Sequence, residues 1–269
     1  MSDFWKKLTS KLPGKTADTK VAEPPPPSSA AADADKAAEQ ARWQRTFEAR
    51  QAWFAREFGP LPDEILKIGH MTGVWPGGGL YVIPANKVRQ GLWCYTTFGF
   101  SNTDMPASTT MTDVAVEHDT LGRPMRTTGT LKARPRAPVP AGAAGYGYEF
   151  ALFAEEHIEW PLWVLQWAAS AELVNDVGML ARVDKHGGLT ISDLGVGRTE
   201  PIHILIARAR PPFPVGTDLP NGRMHLLVAT AITKAEMDWS FNNGRDRLLD
   251  KLVEKGFGQV SRLDRPSVV

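Results

Sequence analysis

The chain has 269 residues, with 31 Lys and Arg against 30 Asp and Glu, so its formal net charge is +1. That balance excludes nucleic-acid binding driven by whole-protein charge, because neutralising phosphates needs a basic excess. A single cysteine excludes an internal disulfide framework and a cysteine-built zinc site, and no apolar run has the length of a membrane span or a secretory core, so a cytoplasmic protein is expected.

In chain order, residues 1–12 come first. The stretch "SDFWKKLTSKL" sets Phe4, Trp5, Leu8 and Leu12 at helical spacing, with Lys6, Lys7, Lys11 and Lys15 adding positive charge. A helix that short is marginal in isolation, so a basic amphipathic tail is the reading. Contact with a membrane surface or a partner's groove is the lesser alternative. Residues 13–40, which include "EPPPPSSAAADADKAAE", read as a disordered linker, since four prolines in a row can neither continue a helix nor donate to a sheet. The folded domain is expected over 41–258, with 259–269 as a C-terminal tail.

From about Asp35 the pattern turns helical. Trp43, Phe47, Phe54 and Phe58 lie near one face, widened by Trp53, while Arg42, Arg45, Arg50 and Arg56 are assigned largely elsewhere, and Gly59-Pro60 ends the helix. Residues 80–83 and 92–98 are strand-like. In the second run Leu92, Cys94, Thr96 and Phe98 point one way and Trp93, Tyr95 and Thr97 the other. Both faces are apolar or aromatic, which predicts a central strand covered on both sides, with Cys94 a small core residue. Residues 122–145 hold Arg123, Arg126, Lys132, Arg134 and Arg136, several prolines and no acid. They read as a mobile solvated loop, or alternatively as a positive arm that steers an acidic partner, with Arg134 and Arg136 its candidate contacts.

Farther along, Pro161 suits the first turn of a helix over "PLWVLQWAASAEL". His203–Ala207 and Met224–Ile232 are strand-like on either side of the Asn221-Gly222 turn signal. Thr233 with Glu236 has the spacing of a capping box, and Trp239 and Phe241 are expected to face the sheet. After Asn243-Gly244, Leu248, Leu249, Leu252 and Val253 restart an apolar helical face. Together these elements predict an α+β fold: one domain with a central mixed β-sheet flanked by helices, preceded by the disordered linker.

Chemistry is sparse. The histidines at 70, 118, 157, 186, 203 and 225 have no ligand-like spacing, and "EEHIE" at 155–159 reads as a solvated loop, so no metal or cofactor is expected. Ser101 follows a Gly-Phe pair but lacks the second glycine of G-x-S-x-G and an identifiable base. Neither "GVGRTE" nor "WPGGGLY" completes a phosphate loop.

The run "LWCYTTFGFS" goes further. Its W-x-Y-T-T-F-G-F-S pattern resembles the motif of the suppressor of fused domain family, with Trp93, Tyr95, Thr97, Gly99 and Ser101 at the matching positions. "GYGYEFAL" at 145–152 resembles the family's Gly-x-Glu-Leu-Thr strand, Glu149 matching and Phe150 and Ala151 departing. "PLWVLQWAASAEL" resembles the helix that follows, and "PNGRMHLLVATAITKAEM" the closing strand and its Ile-Thr-x-x-Glu helix start. The resemblance spans residues 60–255.

It implies a non-catalytic protein-binding module. Animal members hold a transcription-factor peptide in a cleft, and bacterial members resemble immunity proteins encoded beside polymorphic toxins. The implied partner is therefore a protein, either a toxin domain or a regulatory protein that this chain sequesters. The resemblance points to Tyr95 as a cleft-lining residue, with Asp104 second. A hydrolase using Ser101 or the Glu155, Glu156 and His157 cluster is the alternative. The domain boundary has a direct test: limited proteolysis should cut within 13–35 and leave a stable fragment beginning near Lys36 to Trp43, whereas protection of that stretch would refute the linker.

Overall fold

A computed structural model of the chain describes residues 29–68, 75, 77–105, 108–118, 124–134, 140–195 and 201–269. The expectations for residues 1–12 and 13–28, and for Arg123 and Arg136, lie outside these. The chain divides into two units, Met1–Ala38 and Glu39–Val269. The described part of the first is helical, and the second holds the rest of that helix, the sheets and the other helices.

The elements run α1 (Ser29–Glu57), β1 (Gly79–Pro84), β2 (Trp93–Phe98), β3 (Ser108–His118), β4 (Pro124–Arg134) and β5 (Ala143–Ala154). Then come α2 (Trp160–Leu173), α3 (Met179–His186), β6 (Leu189–Leu194), β7 (Ile202–Arg208) and β8 (Gly216–Leu219). The chain closes with β9 (Gly222–Ile232), α4 (Lys234–Asn243), α5 (Arg245–Glu254) and β10 (Val260–Ser261). Helix α1 begins inside the stretch read as linker, because the alanines from Ala30 to Ala41 favour helix once the prolines are passed.

The main sheet has the order β1-β2-β5-β9-β7-β6, with β8 on β9 and β10 on β5. It is mixed: β5 runs parallel to β9 and β10, and the other pairs are antiparallel. The fold class is the expected one, α+β with helices flanking a central mixed sheet.

Alternation in β2 sorts the two cores as expected. Tyr95 joins Tyr148, Phe150 and Leu152 of β5 beneath α2 and α3. Cys94 and Phe98 join Trp53 and Phe54 of α1, and Phe58 just after it, on the opposite face. Burial pushes the Cys94 thiol pKa far up, which leaves it an inert core residue. Pro161 sits in the first turn of α2, and Thr233 with Glu236 forms the capping box of α4. Among the described residues no helix is long and apolar enough to cross a membrane.

Four expectations are corrected. The stretch 122–145 is not one long loop: Pro124–Arg134 is β4, paired antiparallel with β3 in a separate two-stranded sheet. The Thr-rich composition of both strands suits extended backbone, and the basic residues and prolines masked it. Phe241 does not face the sheet; it is 60% exposed, with the Arg245 guanidinium 5.6 Å from its ring centroid. Trp239 and Phe241 are two residues apart in α4 and so point to nearly opposite sides of the helix, and only Trp239 packs inward. In α5, Leu248, Leu249 and Leu252 are buried, but Val253 is 50% exposed.

The fourth concerns residues 259–269, which are part of the folded body and not a tail. β10 pairs with Phe153 and Ala154 where β5 parts from β9, and the Ser261 hydroxyl accepts the Ala231 N–H at 2.9 Å. Beyond it the two Arg265 guanidinium nitrogens donate to the two oxygens of Glu236, both side chains being buried. Glu236 also accepts the N–H groups of Thr233 and Val268. One carboxylate thus caps α4 and clamps the C-terminal segment.

Arg265→Ala strands a buried charge and should destabilise the fold by roughly 3–5 kcal/mol, read as a lower urea midpoint at unchanged slope. Burial alone would raise the Glu236 pKa, but Arg265 and the two N–H donors outweigh it and hold the group below its usual range. A depressed native pKa contributes stability above the unfolded pKa and loses it as pH falls through the native value. Wild type should therefore lose stability from this contact on acidification, a component absent from the pH profile of Glu236→Gln.

Candidate functional site

The motif residues at the end of β2 close around one carboxylate. Glu149, wholly buried in β5, accepts hydrogen bonds from the Thr97 hydroxyl at 2.7 Å and from the N–H groups of Gly99, Phe100 and Ser101 at 2.9, 3.2 and 3.0 Å. The Ser101 hydroxyl adds a fifth donor at 2.6 Å. Three consecutive N–H groups can converge this way because the chain turns at Gly99, φ +121°, where a Cβ would lie 2.8 Å from the Gly78 Cα.

Arg50 of α1 completes the arrangement. Its guanidinium donates to the Ser101 hydroxyl at 3.0 Å and to the Asn102 side-chain oxygen at 2.6 Å, and lies 3.8 Å from Glu149. The Phe98 ring, 4.1 Å away, covers the same cation. Burial lowers the Arg50 pKa to about 10 against the opposing pull of Glu149, so the side chain stays charged at neutral pH. Its assignment away from the aromatic face is therefore corrected. The signal was in the spacing: Arg50 lies seven residues after Trp43 and four before Phe54, on the same stripe. The signal for Glu149 was a lone charge inside an otherwise apolar strand.

With its hydroxyl buried between Glu149 and Arg50, Ser101 does not face solvent. Tyr95 is equally enclosed: its hydroxyl accepts the Ile158 N–H at 2.7 Å and donates to the Glu156 carbonyl at 3.3 Å. Burial raises the Tyr95 pKa, partly offset by the Ile158 bond, which keeps the donating proton in place. Tyr95 thus fixes the loop ahead of α2 and does not itself line a surface.

The other sequence candidates disperse. Asp104 lies at the α1 side, where partial burial of its carboxylate raises its pKa while a backbone hydrogen bond, the Trp43 side chain and Arg50 partly offset the rise. It shares no surface with Tyr95, which packs on the opposite face of β2. Arg134 ends β4, and Arg136 lies outside the described residues. Glu155 pairs with Arg89 and Arg262, and His157 lies tilted against Trp93 with ring centroids 4.5 Å apart, so the cluster is held by surface contacts.

The surface next to this loop carries a groove. A cleft of about 570 Å³ opens between residues 155–163 and the C-terminal segment 261–264, with Ile158, Trp160, Trp163 and Leu263 among its walls. A second hollow of about 390 Å³, lined by Leu66, Leu80 and Leu162, lies on the other side of Trp163. Trp163 is 49% exposed on the ridge between them. Sequence reasoning missed it, although Glu159, Trp163 and Gln166 recur at helical spacing on a stripe that is otherwise polar.

Glu149→Gln and Arg50→Ala should each destabilise the domain by roughly 3–5 kcal/mol, since either change leaves a buried ion without its match. Ser101→Ala, which spares the N–H donors, should cost about 1–3 kcal/mol. Urea denaturation checks the order; a neutral Glu149→Gln would show that the network does not hold the fold.

The family model described as Suppressor of fused protein (SUFU) matches residues 76–266. No curated protein matches the chain. Among solved structures, a SUFU homologue from Neisseria gonorrhoeae FA 1090 superposes with a TM-score of 0.50 at 14% identity, covering 86% of this chain and 98% of that one. The Sufu-Fu complex gives a TM-score of 0.51 at 15% identity, covering 83% and 92%. Drosophila Suppressor of Fused gives 0.42 at 16% identity, covering 71% and 42%. The family match takes in more than two thirds of the chain, including the strands that build the carboxylate nest, and by it this protein belongs to the suppressor of fused family.

Proposed function

We propose that the chain is a non-catalytic protein-binding module that sequesters a partner protein, as an immunity protein against a toxin domain or as a regulator. The observation that carries this reading is the groove on either side of Trp163, where a large aromatic stays half-exposed on a rigid helix. A tryptophan bordered by hollows is the kind of anchor on which binding energy concentrates. Tyr95, buried beneath the loop that forms one wall, acts as a positioning residue. The structural relative solved as a Sufu-Fu complex supports a protein as the partner. The immunity role rests on the family resemblance to bacterial members.

A catalytic reading has little to use. The Ser101 hydroxyl is buried in the carboxylate nest, and Glu155 is held by two arginines at the surface.

Affinity capture of the full chain from its native cell, with mass spectrometry of what co-purifies, tests the proposal. A saturable stoichiometric protein partner is expected. Trp163→Ala should weaken its capture by tenfold or more, equivalent to about 1.4 kcal/mol, with an unchanged melting curve. Tyr95→Phe should weaken it by roughly 1–2 kcal/mol through a loosened loop. Failure to retain any partner, or turnover of ester or phosphate substrates, would overturn the reading.

A further inference from the structure

The groove's charge differs from that of the near-neutral chain. Glu155, Glu156 and Glu159 come from the wall ahead of α2 and Asp264 from the C-terminal wall, with Arg262 between them. Arg262 pairs with Glu155, which also holds Arg89. Glu156, Glu159 and Asp264 are exposed and have no ion-pair partner among the described residues. The positive end of α2 suits Glu159, which precedes its first turn without making a side-chain cap bond. It does not account for Asp264, which faces the cleft from a different element.

Ile158, Trp160, Trp163 and Leu263 share the lining of the cleft with these charged groups. Both walls are fixed from beneath, one by Tyr95 and the other by β10 and the Arg265–Glu236 clamp. Little ordering is left to be done when something docks.

We propose that this groove docks a cationic segment of the partner protein, its Lys or Arg side chains facing Glu156, Glu159 and Asp264 and an apolar side chain lying on Trp163. The assignment rests on the binding-module reading and names the partner's chemistry. Complementary charge sets the register and the rate of encounter, and the tryptophan supplies the anchor. An acidic segment is disfavoured here, because it would bring like charges together across the cleft.

The test uses the full chain and three fluorescein-labelled short peptides that alternate Leu with Lys, Gln or Glu around a central Trp, followed by fluorescence anisotropy. The Lys peptide should bind about tenfold or more tightly than the other two, and its affinity should fall as salt is raised from about 50 to about 300 mM. The combined Glu156→Gln, Glu159→Gln and Asp264→Asn variant should lose that preference while keeping the wild-type melting curve, because all three side chains are exposed. Equal binding of the three peptides, or undiminished Lys-peptide binding by the triple variant, would overturn the assignment. A captured partner retained equally by the triple variant would overturn the groove assignment and leave the binding-module reading standing. Absence of any captured partner would remove that reading and this assignment together.

Discussion

Glu149 lies in the middle of β5 with no route to water, and an unmatched carboxylate there would cost several kcal/mol. The match comes from three places at once: the Thr97 hydroxyl at the end of β2, the N–H groups of the turn after it, and Arg50 on α1. Each donor fixes a different degree of freedom. The turn holds the end of β2 against β5, and Arg50 sets where α1 crosses the sheet, since its fork must reach both Ser101 and Asn102. Replacing such a pair by apolar residues is often neutral in energy, so what the ion pair contributes here is the specific placement of α1.

This assigns the family motif mainly to structure. Thr97, Gly99 and Ser101 face inward to one carboxylate, and no partner could touch them without unfolding the end of β2. Trp93 is half-buried beside His157, and Tyr95 joins the core to the loop above it. The motif therefore specifies a rigid platform, and the proposed docking surface is built from residues outside it. The outer stripe of α2 is one such set, and the segment after β10 is another.

The two walls of the groove are far apart in sequence but similarly supported. Each exposed wall stands on a buried polar contact: Tyr95 under residues 156–158, and the Glu236–Arg265 clamp under the C-terminal segment. Because Glu236 also caps α4, the start of that helix and the position of the C-terminal wall are coupled through one side chain. A surface held in this way loses little conformational entropy on binding.

The sequence determined what local geometry determines. The aromatic stripe of α1, the two-faced alternation of β2, Pro161 at the start of α2 and the Thr233–Glu236 box are written into neighbouring residues, because helix and strand periodicities need no distant partner. Tertiary structure decided everything that depends on what comes to lie opposite. Arg50 is inside only because Glu149 and Ser101 reach it, and Phe241 and Val253 are outside because no element among the described residues covers them. The strand β4 is a strand because β3 pairs with it, and residues 259–269 belong to the fold because β5 parts from β9 and Glu236 accepts Arg265. The groove obeys the same rule, since its walls come from segments about a hundred residues apart. A charge in a sequence is neither buried nor exposed until the chain has brought its counterpart, or left it facing water.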